Sequence, residues 1–105
     1  MERPSSAERR ELSERYRSAV ERVSALLFRA DPMGIAENNP HTDEYAGEAQ
    51  RIVARFKEAD SRADLARITH EVFFQMFSPV SVGPASEYQE VANDLWLVLQ
   101  ELRRR

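Results

Sequence analysis

The sequence predicts an all-α fold, a compact four-helix bundle forming a single helical domain over residues 1–105. Three observations carry that expectation. Apolar residues recur at three- and four-residue spacing in four separate stretches, which is the mark of amphipathic helices. Proline- and glycine-bearing turns at 31–40 and 78–84, with a short Asp60-Ser61 link, divide the stretches, and none alternates strictly as a half-buried strand does. Two capping boxes, Ser5-Ser6-Ala7-Glu8 and Ser86-Glu87-Tyr88-Gln89, stand where helices are expected to begin.

The first helix is expected at about residues 6–29, long and amphipathic. Its capping box satisfies two free amides of the first turn, one by the serine hydroxyl and one by the glutamate reaching back. Leu12, Tyr16, Ala19, Val20, Val23, Leu26 and Leu27 then make one apolar stripe. The pair Glu11 and Arg15 supports the solvent face by only about 0.2–0.5 kcal/mol, so the stripe is the folding signal. Asp31-Pro32 ends the helix, because the residue before a proline is pushed out of the helical region. Gly34 is placed to take a positive φ just after it.

A second helix is expected at about 43–59, with Thr42 as N-cap and Asp43 and Glu44 in the first turn, where the helix dipole favours negative charge. Tyr45, Ala49, Ile52, Val53 and Phe56 form its apolar face, and Gly47 loosens its first turns relative to alanine. A third helix, about 62–77, carries Leu65, Ile68, Val72 and Met76 on one stripe and Phe73, Phe74 and Phe77 on another. A helix apolar around much of its circumference belongs at the centre. After Pro79, Gly83 and Pro84, a last helix at about 87–103 presents Tyr88, Val91, Ala92, Leu95, Leu99 and Leu102, with Trp96 on the shoulder.

Composition narrows the function classes. Hydrophobic residues make up 42% and charged residues 31%, and no apolar run approaches the roughly 18 residues of a membrane span, so a soluble, cytoplasmic protein is expected. Residues 1–8 lack the apolar stretch of a secretory signal. Cysteine is absent, which removes disulfides, thiolate nucleophiles and cysteine-based zinc sites together. A net charge of −3 gives no general affinity for nucleic acid or membrane. Fourteen of the fifteen basic residues are arginine, which suits bidentate ion pairs on helix surfaces and also the coding bias of a GC-rich bacterial genome. Arg103, Arg104 and Arg105 suit the negative end of the last helix dipole.

Between Arg29 and Arg51 there is no lysine or arginine, while Asp31, Glu37, Asp43, Glu44 and Glu48 place five carboxylates. This is the candidate partner-binding surface, with Tyr45 as a possible aromatic anchor, and it fits another protein with a basic surface. A second reading is a small enzyme or metal-dependent site around His41 and the nearby carboxylates. Met33 and Ile35 occupy positions where a calcium loop needs ligands, and one histidine is a poor start for a transition-metal set. No hydrolase elbow, P-loop, zinc-protease or dinucleotide motif is present. No catalytic residue, metal or cofactor is therefore assigned. A third reading is a structural adaptor or homodimer that covers a patch of Phe73, Phe74 and Phe77 beside His70; the alternative is that these rings form a second buried face.

The segment Leu26-Leu27-Phe28-Arg29-Ala30-Asp31-Pro32-Met33-Gly34-Ile35, followed by Asp43-Glu44-Tyr45 … Glu48-Ala49 … Ile52, resembles a pattern in a small, uncharacterised bacterial all-α family. There a helix ends in Asp-Pro-x-Gly-Ile and an Asp-Glu-Tyr-x-x-Glu-Ala helix follows. The likeness reaches from about residue 26 to 99; paired phenylalanines and a late tryptophan complete it. It implies no activity. Some similar small proteins are immunity or toxin-neutralising partners, so the resemblance implies a binding role; with the acidic surface, its most concrete form is a non-enzymatic inhibitor of a basic partner such as a nuclease-type toxin. Ala46-Gly47 departs from the Asp or Pro that others often carry after the tyrosine.

Overall fold

The computed structural model describes residues 6–31, 45–77 and 82–104. Four α-helices run through them: α1 (Ser6–Ala30), α2 (Ala46–Ala54), α3 (Arg62–Met76) and α4 (Gln89–Arg103). Two 3₁₀ turns, Phe56–Glu58 and Ala85–Tyr88, precede α3 and α4. No strand occurs among the described residues.

The apolar stripes close on one core. Helix α1 packs on α2 and α4, and α3 packs on α2, α4 and the Ala85–Tyr88 turn. Val23, Leu27, Tyr45, Ile52, Leu65, Ile68, Phe73, Leu95 and Leu99 have essentially no contact with solvent. Each such side chain contributes about 1.5–3 kcal/mol by leaving water. Helix α3 is flanked on three sides, as its two apolar stripes require.

Polar contacts fix the direction of each helix. The Tyr45 hydroxyl, just before α2, donates to Asp31 Oδ1 just after α1, at 2.7 Å. Arg15 of α1 donates to the Leu102 carbonyl at 2.6 Å, and Arg22 pairs with Glu101, so α1 and α4 run antiparallel. Arg103 Nη2 donates to the carbonyls of Phe56 at 2.8 Å and Ala59 at 2.7 Å. The Phe73 and Tyr88 rings meet at 5.5 Å. The end of α1, the start of α2, the end of α3 and the start of α4 therefore lie at one end of the bundle.

Local chemistry departs from the sequence expectation in four places. The α1 stripe is buried only from Ala19 onward; Leu12 and Tyr16 are 53% and 41% exposed. A helix of 25 residues outruns partners of 9 and 15, so among the described residues α2 and α4 do not cover the apolar side of its first turns. Asp31 itself takes a left-handed φ of 46° where a residue before proline ordinarily turns extended, and its N–H donates to the Leu27 carbonyl at 2.7 Å; Gly34 lies outside the described residues. Aspartate tolerates that region better than most residues. Helix α2 stops at Ala54, and the tighter Phe56–Glu58 turn carries Phe56 and Ala59 into the core. The capping box at Ser86 does not form, because Ser86 lies inside a 3₁₀ turn and Gln89 turns to Asn93 instead. The formed cap is at Ser61, whose hydroxyl accepts from the Asp64 N–H at 3.0 Å, while Asp64 Oδ2 accepts from the Asp60 N–H at 2.8 Å. Ser5 and Thr42, the other expected caps, lie outside the described residues.

Candidate functional site

The acidic stretch predicted as a surface is, where described, a structural junction. Asp31 is half-buried and receives the Tyr45 hydroxyl. Tyr45 is wholly buried, its ring 5.8 Å from Phe73. Its side chain is thus a core element, which corrects its reading as an exposed anchor: the ring fills the space between α2 and α3, and the hydroxyl reaches out of the core to a carboxylate. Glu48 is only 5% exposed and so is not on a steering surface either. Glu37, Asp43 and Glu44 lie outside the described residues, as does His41.

The same end of the bundle carries carboxylates that the sequence reading did not single out. Glu87 lies in the second 3₁₀ turn, and Glu90 and Asp94 follow at the four-residue spacing that keeps those two on one face of α4. With Leu26, Arg29 and Ala30 of α1 and Val91 of α4 they line a groove of about 320 Å³. Leu26, Ala30 and Val91 give its apolar surface, and three carboxylates stand against one guanidinium. None of Glu87, Glu90 and Asp94 joins an ion pair among the described residues. Glu101, Glu58, Glu71 and Asp64, by contrast, are each paired with arginine. The spacing was visible in the sequence, but acidic residues at a helix start are ordinarily explained by the helix dipole.

Tyr88 and His70 border this end. Burial, followed by the charge of Glu87, pushes the Tyr88 hydroxyl above its ordinary value, and that hydroxyl donates to the Val82 carbonyl at 2.8 Å. His70 holds the Gly83 carbonyl through Nε2 at 2.9 Å and packs its ring against Tyr88 and Phe74. Gly83 has φ 74°, and a Cβ there would sit 2.6 Å from Glu87 Oε2. His70 is therefore engaged in holding the turn that leads into α4. Of the three phenylalanines beside it, Phe73 is buried, Phe77 is half-buried and stacked on Phe73, and only Phe74, 49% exposed, faces solvent.

Among the described residues no three histidine, aspartate or glutamate side chains group as metal ligands. No described helix is long and apolar enough to cross a membrane. No family model matches the chain, and neither a curated protein nor a solved structure does.

Proposed function

We propose that this chain is a non-enzymatic, cytoplasmic protein-binding module that engages a partner with a basic surface through the acidic end of its bundle. An immunity- or antitoxin-type inhibitor is the most concrete form of that reading. The observation that carries it is the row Glu87, Glu90 and Asp94, three carboxylates lining one groove with no ion pair among the described residues. The half-buried carboxylate of Asp31, bonded to the Tyr45 hydroxyl, adds a fourth acidic group at that end. Carboxylates so gathered steer a cationic partner and form charge-assisted hydrogen bonds with it.

A homodimer or adaptor is a second reading, favoured by the exposed Leu12 and Tyr16 on the overhanging part of α1. Sedimentation at two concentrations separates the two, since a self-associating chain gains mass as concentration rises.

The test of the first reading is capture from the source cell's lysate at low ionic strength, followed by a salt gradient. The expected result is a stoichiometric protein of high isoelectric point released by moderate salt. Retention of an acidic partner, or of one indifferent to salt, contradicts the reading.

A further inference from the structure

The crease between the end of α1 and the start of α4 has a shape and a charge that select one kind of guest. Resting on the binding role proposed above, we infer that this groove receives a lysine or arginine side chain presented by a segment of the partner protein. The aliphatic stem lies over Leu26, Ala30 and Val91, and the cationic head sits among Glu87, Glu90 and Asp94. Long basic side chains bury their methylenes on apolar surface while the charge stays at a polar rim, and this groove offers both within one length of side chain. Its volume of about 320 Å³ stands at the bottom of the roughly 300–1,000 Å³ range of small-molecule sites, so it suits one or two side chains rather than a cofactor.

Helix dipoles do not account for the whole row. The positive end of α4 favours Glu87 and Glu90, but Asp94 lies in the second turn, where the effect has faded. The cation site is thus made by side chains. Arg29 is the resident cation of the lining and forms no ion pair among the described residues. It competes with a guest, and its removal strengthens binding.

The experiment titrates a hexalysine amide into the intact, ¹⁵N-labelled chain at low salt and follows amide resonances. The expected perturbations centre on Leu26, Ala30, Glu90, Val91 and Asp94. Binding weakens about tenfold in Glu90→Lys/Asp94→Lys and tightens about two- to threefold in Arg29→Ala, each expected to keep the wild-type melting temperature within a few degrees because the sites are exposed. A hexapeptide of diaminopropionate, with equal charge and almost no stem, binds several-fold more weakly than hexalysine if the apolar floor takes part. Perturbations confined to residues 32–44 overturn the groove and leave the acidic-end reading standing. No perturbation anywhere overturns both. Equal affinity for the two peptides, or spermine binding the groove as tightly as hexalysine, overturns the side-chain fit.

Discussion

At the scale of single residues, three side chains set the local balance of stability. Thr69 is wholly buried on α3 and its Oγ1 has no hydrogen-bond partner. An unsatisfied buried hydroxyl costs about 1–3 kcal/mol, so Thr69→Val, nearly the same shape without the oxygen, is expected to raise stability by about 1 kcal/mol in urea denaturation. The two described glycines diverge. Gly47 sits exposed inside α2, and a Cβ there meets only Met76 Cε at an ordinary 3.5 Å. Gly47→Ala is expected to add about 0.5–1 kcal/mol. Gly83→Ala is expected to lose about 1–2 kcal/mol, because its positive φ disfavours any side chain and the Glu87 carboxylate must move. Matching losses at both glycines would contradict the account of these positions. Asp31 shows what was legible at this scale: the break before Pro32 was evident, but the left-handed φ of Asp31 itself was not, since φ is settled by which residue must close the α1 end.

Between elements, arginines join what the apolar stripes bring together. Arg55, capping α2, binds Glu58 at 3.0 Å and Glu71 of α3 at 2.8 Å. The hydrogen bond from Arg55 holds the Glu71 carboxyl below its ordinary value, with Arg67 adding to the effect. A carboxyl with a lowered folded-state pKa supports the fold fully above its unfolded value near 4.5, and that support is lost as pH falls through the folded value. The melting temperature of the wild type is therefore expected to fall more steeply than that of Glu71→Gln between about pH 5.5 and 3.5. Parallel curves would show that the link contributes nothing. Glu58 and Glu101 are lowered in the same way by Arg55 and Arg22, so the variant keeps part of the slope. Helix identity was legible throughout, because Leu65, Ile68 and Val72 or Val91, Leu95 and Leu99 recur at a period no strand shares. Helix length on the core was not. The stripe in α1 reads evenly from Leu12 to Leu27, but α2 and α4 are too short to cover Leu12 and Tyr16, which stay 53% and 41% exposed.

Across the whole molecule, antiparallel packing brings the end of α1 to the start of α4, so that Asp31, Glu87, Glu90 and Asp94 share one end, while Glu58, Asp64 and Glu101 toward the other are paired with arginine. The acidic end was half legible. Its first part stood out as a run without lysine or arginine, but of its described site residues only Asp31 stays half-exposed, while Tyr45 and Glu48 turn inward because their helix needs a buried face there. The groove was not legible, since its walls come from α1 and α4 and meet only when the bundle closes. The most direct measurement is capture from source lysate with wild type and Glu90→Lys/Asp94→Lys side by side, each checked by circular dichroism. The account expects a basic protein held by the wild type and lost from the equally folded variant. The same partner held by both would contradict it.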